Sequence, residues 1–444
     1  MGRSVLHWVC VFALVALPIG GCSDESTAAG GSGGSAGTGG TKLCEEDVDC
    51  DDGDECTVDS CIGDTCSSKL ACDDGNDCTE AECDPSNGEC VAPTLVADGT
   101  TCAGGTCQAA VCELTGSVLP CTQQGILNAI AAGGGPYTFS CDGPTTVVTT
   151  GTIDIDNDVI LNGEGNLTLD GDDDHPVLVC ASRDVPVTAE LRGFRVTGAA
   201  DFGIMQVLPA IYIFDATLTL TDSTVSDNEG DGIYNQGGTL TLLNTTVSGN
   251  GFINVINENT FDEPPLVGTL TVTNSTISGG RLGIRNYKGQ ATILNSTVSG
   301  NTMAGIQNGA GATLTLTNST VSGNSSDDGG DIEASEGTTV TLVNTIVEGV
   351  CIRDVASDIT SDGFNIESPG DTCGFDQVGD QADVSAIELD LQPLADNGGP
   401  TQTHAITTDS AAFNAGTCEV TTDQRGVTRP QGAMCDVGAF EVQP

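Results

Sequence analysis

Between Thr217 and Gly349 the chain writes one phrase six times. Apolar and polar residues alternate, an Asn or Asp follows, and a second short alternation closes in small polar residues. The copies are "TLTLTDSTVSDN" from Thr217, "TLTLLNTTVSGN" from Thr239, "TLTVTNSTISGG" from Thr269, "ATILNSTVSGN" from Ala291, "TLTLTNSTVSGN" from Thr313 and "TVTLVNTIVEG" from Thr339. A period of two predicts strands whose successive side chains face opposite ways. The Asx positions, Asp222, Asn244, Asn274, Asn295, Asn318 and Asn344, are spaced by 22, 30, 21, 23 and 26 residues. A period near 22 with tolerated insertions marks a solenoid. A further column, "GIYN" (232–235), "NVIN" (254–257), "GIRN" (283–286) and "GIQN" (305–308), starts 9 or 10 residues after each Asx. Two strands around the Asx turn plus this third one make a three-sided coil. The expected fold is all-β, a parallel β-helix with about 22 residues per coil and about 10 coils.

Stacking explains the repetition. Each coil lies ~4.8 Å above the last, so equivalent positions sit over one another. Leu218, Leu240, Leu270 and Leu314 then form an inward aliphatic stack that no single coil could bury alone. Asn244, Asn274, Asn295 and Asn318 are expected to form a structural amide ladder at the corner, each bonding the next. These four also match the glycosylation acceptor pattern, but a stacked corner argues against modification.

An open solenoid end is an exposed sheet edge, so both ends should be covered. In "CTQQGILNAIAAGGG" from Cys121, Ile126, Leu127 and Ile130 share one helical face and the pattern stops at Gly133. This predicts a cap helix pinned by a Cys121–Cys141 bridge. Bridges are likewise expected between Cys351 and Cys373 and between Cys418 and Cys435, leaving Cys180 in "PVLVC" as a buried free thiol.

Cap helix, "TIDI", "LRGFRVTG" and the "NSTVSGN…GIYN" units together resemble pectin-lyase-like right-handed β-helix proteins of bacterial surfaces, including polymorphic outer-membrane-protein repeats. "LQPLADNGGPTQTHAI" (391–406), "SAAFNAGT" (410–417) and "TTDQRGVTRPQGAMCDVGAFE" (421–441) resemble the choice-of-anchor Q module that ends many such proteins. At the other end, Arg3, the apolar run "VLHWVCVFALVAL" and "IGGC" form a secretory signal whose last four residues resemble a bacterial lipobox. That resemblance implies a lipid on Cys22, and Ser23 in place of Asp implies transfer to the outer membrane of a bacterium. The expected organisation is therefore signal peptide 1–21, lipidated Gly/Ser tether 22–41, Cys-rich disulfide module 42–113, cap 117–143, β-helix 144–390 and C-terminal module 391–444.

Twelve cysteines lie between Cys44 and Cys112, and "DCDDGDECTVDSC" (49–61) aligns with "ACDDGNDCTEAEC" (71–83) at an offset of 22. An even count in an exported, core-poor segment predicts a disulfide scaffold. Acids gather at its turns, and Asp49, Asp51, Asp73 and Asp74 are the candidate calcium ligands. The glycine spacing departs from the EF-hand loop, so structural calcium is the one cofactor considered and none is required.

A net charge of −51, from 12 Lys plus Arg against 63 Asp plus Glu, repels phosphate backbones and excludes nucleic acid as a partner. Expected partners are the outer membrane, through the lipid, and glycans or proteins of other surfaces. Catalysis would need more. The basic cluster Arg281, Arg285 and Lys288 has no acidic triad beside it, since the outward column holding Arg285 continues through Tyr234, Ile256, Gln307 and Glu333. In "LDGDDDHP", Asp170, Asp172, Asp173, Asp174 and His175 are consecutive in a Gly-flanked turn, and the GHG and RIK signatures of galacturonan hydrolases are absent. His404 of "THAI" is expected to be structural. No catalytic residue is assigned. The expected role is structural or adhesive display at the cell surface, and the alternative is a secreted polysaccharide lyase or glycoside hydrolase. Few aromatics are expected along any glycan-binding face, since Tyr numbers 4 and Trp 1.

Overall fold

The computed structural model describes residues 50, 56–62, 65–70, 78–83, 90–102, 105–108, 111–114, 116–181, 185–200, 209–260, 264–324 and 330–443. The signal segment, Cys22 with its tether, and the four candidate calcium ligands lie outside these residues. The chain forms two compact units, 1–69 and 70–444. The division falls inside the Cys-rich span. Strand Thr57–Ile62 pairs with Thr65–Leu70. In the second unit Thr79–Cys83 pairs antiparallel with Cys90–Leu95, and Cys78 is bonded to Cys107. The sulfurs of Cys78, Cys102 and Cys107 converge, but all three are consumed in disulfides.

From Val118 onward the chain winds into parallel coils with three strands per turn. The first side carries the five-residue strands such as Thr217–Thr221, Thr239–Leu243 and Thr313–Thr317. After the Asx corner, the second side carries three-residue strands such as Thr224–Ser226 and Thr297–Ser299. The third side is a separate nine-stranded parallel sheet running from Ile153–Ile155 to Cys351–Arg353. Burial alternates along the first-side strands, as in Thr217–Thr221, whose Leu218 and Leu220 are buried and whose threonines are half-exposed. Leu218, Leu240, Leu270, Ala291, Leu314 and Val340 stand in one register and form the inward file. Ala291 interrupts the leucines where the strand begins with Gln290 rather than Thr.

The corner residues do not form the continuous amide ladder that their spacing suggests. Asn244 bonds Asp222 and Asn295 bonds Asn274, but no bond joins the two pairs, and the Asn318 side-chain amide has no partner among the described residues. The corner instead selects Asx for backbone conformation. All six residues sit at φ between 48° and 54°, the left-handed region that Asn and Asp tolerate best. Their amides are then taken by whatever is near, as Asn295 donates to the Thr422 carbonyl and Asn344 to that of Asp436.

Continuous ladders do exist, inside the solenoid. The last residue of each "GIYN"-type unit donates to the next, Asn235 to Asn257 at 2.8 Å, Asn257 to Asn286 at 2.8 Å and Asn286 to Asn308 at 2.7 Å. A second ladder closes the "VSGN" turns, running from Asn228 to Asn250 and on through Asn254, Asn301 and Asn324 to Asp331. One coil has Gly280 where its neighbours have Asn, and Asn254 from the preceding coil fills that place. A Cβ on Gly280 would lie 2.7 Å from the Asn254 amide nitrogen. These amides are fully buried, so each rung satisfies a donor that would otherwise cost ~1–3 kcal/mol.

The N-terminal end is covered by helix Gln123–Ala132, capped by Thr122, whose hydroxyl accepts from the Gly125 N–H, and stopped at Gly133. Ile126, Ala129 and Ile130 are buried and Leu127 packs beside them. Cys121 is bonded to Cys141, Cys351 to Cys373 and Cys418 to Cys435, while Cys180 is free and buried, its thiol pushed up to about 12 by desolvation.

The C-terminal segment folds back along the solenoid. Gln424 donates to the Ser275 carbonyl, to Thr276 and to Thr401, and accepts from Thr297. His404 bonds Ser299 through Nε2 and the Gln392 carbonyl through Nδ1, and burial lowers its pKa. Ala439 and Gly438 donate to Thr320 and to the Asn344 carbonyl. The second side and its corner are thus covered over several coils. Within the segment, Arg425 pairs with Asp423 and stacks 3.5 Å from the Phe440 ring centroid, and Arg429 pairs with Glu441, all buried or nearly so. The "DQRG" and "GAFE" motifs are therefore an internal ion-pair core, and "THAI" is a docking contact.

Candidate functional site

With the second side covered, the outer surface of the third sheet is the place where unusual side chains collect. Register sets one column through Tyr212, Tyr234, Ile256, Arg285, Gln307 and Glu333. Two residues further along the same strands lie Phe214, Gln236, Glu258 and Tyr287. The outward order around Arg285 is the one the sequence predicts.

The same sheet corrects the expectation of few aromatics. Three of the chain's four tyrosines, Tyr212, Tyr234 and Tyr287, stand here with Phe214. Tyr212 meets Tyr234 edge-on at 5.5 Å between centroids and lies over Phe214 at 6.4 Å. Tyr212 donates to Gln236 and Tyr234 donates to Glu258 at 2.6 Å. Desolvation, then the Glu258 charge, pushes the Tyr212 hydroxyl up to about 12, and desolvation with the Glu258 hydrogen bond raises Tyr234 as well. Both phenols stay protonated as donors, and both residues are partly exposed. A signal for this was present in the sequence, since Tyr212 precedes Tyr234 by one coil of 22 residues. It lay in "PAIYIF", upstream of the regular units.

Further along the column the chemistry turns polar. Arg285 and Lys288 approach the Tyr287 ring, at 5.4 and 5.6 Å from its centroid. Neither forms an ion pair with a described residue. Gln307 donates to Glu333 at 3.0 Å. Arg285, Tyr287, Gln307, Ser335, Glu336 and Asp354 line an open hollow of about 440 Å³. An aromatic face, free cations, an amide and carboxylates around a shallow hollow can stack an apolar ring face while bonding hydroxyls at its edge.

The other candidates are not brought together. Arg281 is exposed and bonds Met303. In the acidic turn, Asp172, Asp173 and Asp174 are exposed, and the Asp170 carboxylate accepts from the Asp172 N–H. Desolvation, and after it the charges of Glu229, Asp170 and Asp172, raise the pKa of Asp173. His175 is occupied by Thr149 at 2.9 Å.

A family model described as a Dictyostelium (slime mold) repeat matches residues 49–69 and 71–92, the two aligned Cys-rich copies. No curated protein matches the chain. Among solved structures, pectate lyase Pel9A aligns at 16% identity and a TM-score of 0.42, over 70% of this chain and 90% of that one. The A-module of the mannuronan C-5 epimerase AlgE6 from Azotobacter vinelandii aligns at 16% and 0.34, over 59% and 90%. The Streptococcus pneumoniae surface adhesin PfbA aligns at 12% and 0.38, over 56% and 81%. Values this low carry no argument about what the chain does. The architecture rests on its own strands, an all-β parallel β-helix with a disulfide-rich N-terminal region.

Proposed function

We propose that this chain is an exported surface rod, lipid-anchored at Cys22 to the outer membrane, that adheres to glycans through the outer surface of its third sheet. The observation that carries this reading is the gathering of three of four tyrosines beside two cations without carboxylate partners among the described residues, in a protein of net charge −51. Disulfides support an oxidising, exported location. Tyr212, Tyr234 and Tyr287 supply stacking faces, Gln236 and Gln307 supply edge hydrogen bonds, and Arg285 with Lys288 favours sugars that carry negative charge. The proposed role is binding without cleavage.

A glycan array probed with the purified full chain tests it, with a product assay on every hit. Binding that falls at least tenfold in Tyr287→Ala, equivalent to ~1.4 kcal/mol, supports the proposal. Absence of binding to any glycan sinks it, and release of unsaturated or reducing ends would replace it with an enzyme.

A further inference from the structure

The first side of the solenoid differs from the rest of the surface in one respect. From Thr217 to Val343 its outward positions carry no charge, in a chain with 63 acidic residues. Charged residues bracket the stretch, with the Glu190–Arg192 pair on one flank and Asp358 on the other. Between them the outward residues form three ranks. The middle rank is threonine in seven successive coils, from Thr219 through Thr241, Thr271, Thr292, Thr315 and Thr341 to Thr360. The rank before it is threonine except at Gln290 and Asp358, and the rank after it alternates Thr with Leu or Val.

Parallel pairing fixes the lattice. Threonines in one rank repeat at ~4.8 Å, and neighbouring ranks lie ~6.6 Å apart along the strands. Each node offers a hydroxyl that can both donate and accept, beside a methyl held in a β-branched rotamer. A partner of irregular surface gains nothing from such regularity. A second copy of the chain is a poor occupant, because the array covers on the order of 400 Å² against the ~800 Å² per partner that a stable interface buries. A solid polysaccharide is disfavoured by the lack of any aromatic in the three ranks from 217 to 343.

We propose that this face binds ice. The repeat along each rank lies near one oxygen repeat on the prism face of hexagonal ice, while the spacing between ranks falls about a tenth short of the other, and a neutral surface does not drag along the counterions and hydration shells that a charged one would. Each threonine contributes little alone, and the rigid coil stack presents all of them at once, so attachment is multivalent. Liquid water has no fixed lattice to match. The face is separate from the tyrosine column, so this inference stands or falls independently of glycan binding.

The test is ice-affinity partition of the purified full chain, in which a solid front grows slowly through dilute protein. The wild type should concentrate in the ice, and Thr271→Lys and Thr315→Lys, placed in the middle rank, should return it to the liquid with an unchanged thermal melt. Tyr287→Ala should partition as the wild type does. If one lysine variant fails to fold, the other decides. Exclusion of the wild type from ice, equal partition of a folded lysine variant, or preferential capture by microcrystalline cellulose through the same threonines would each overturn the proposal.

Discussion

At the scale of single residues, the interior of this rod is specified by amides rather than by packing alone. Asn254 taking the place that Gly280 leaves empty keeps a buried ladder intact across a coil that lacks its own rung. The ladder ends at Asp331, which accepts both the Asn324 N–H and its amide while its second oxygen has no partner among the described residues. Burial, opposed by those bonds and aided by the Glu348 charge, raises the Asp331 pKa from 3.8 to about 7. The folded state therefore holds this proton more tightly than the unfolded chain does. Stability from this site is fully present below about pH 4 and is lost as pH rises toward 7. Asp331→Asn should leave stability near pH 4 almost unchanged and raise it at pH 8, by up to roughly 4 kcal/mol, the equivalent of a proton held about a thousandfold more tightly. Urea unfolding at the two pH values measures this, and equal effects at both would refute it. The ladder itself was only half legible. Asn recurs visibly in three columns, but which column bonds to itself throughout is set by tertiary packing. The six corner residues share one φ, yet only Asp222–Asn244 and Asn274–Asn295 bond within the file, while Asn295 and Asn344 also donate to the C-terminal segment.

At the scale of elements, the cap helix is a case where local propensity and tertiary contact disagree. Gly125 lies inside the first turn, where Ala would favour helix by about 1 kcal/mol. A Cβ at that position would strike the Pro120 carbonyl, and backbone is not free to give way. Gly125→Ala should therefore destabilise the chain by about 1–3 kcal/mol, read as a lowered denaturation midpoint. A stabilised variant would mean that the cap sits less tightly on the first coil than this contact implies. The C-terminal segment is the other element whose role is set by contact. Its "DQRG" and "GAFE" motifs are conspicuous in the sequence, yet nothing local says that Gln424 will reach Thr276, 148 residues away.

At the scale of the molecule, coils that touch only their neighbours should be removable one at a time, unless something spans them. Deleting residues 217–238 joins Ala216 to Thr239 in the existing register and removes one coil outside the reach of the C-terminal segment. That chain should still fold cooperatively. Deleting 290–312 also preserves register but removes Asn295, Thr297 and Ser299, which hold Thr422, Gln424 and His404. Limited proteolysis should then release the C-terminal segment, while the first deletion leaves it protected. Equal protection in both would show that the segment is held by its own core rather than by the solenoid. The three sides acquire different surfaces as a result, one covered, one neutral and threonine-rich, one aromatic and ionic.

The alternating pattern, the repeat near 22 residues and the Asx corners were determined by sequence alone, because in a solenoid each position meets its own equivalent in the next coil and the pattern is its own template. The pairing of Cys121, Cys351 and Cys418 with their partners was equally legible there, since each closes within 17 to 22 residues. Only the tertiary structure decided which side the C-terminal segment covers and which asparagines bond one another. Those outcomes depend on insertions of uneven length and on contacts more than 100 residues apart, which no local periodicity encodes.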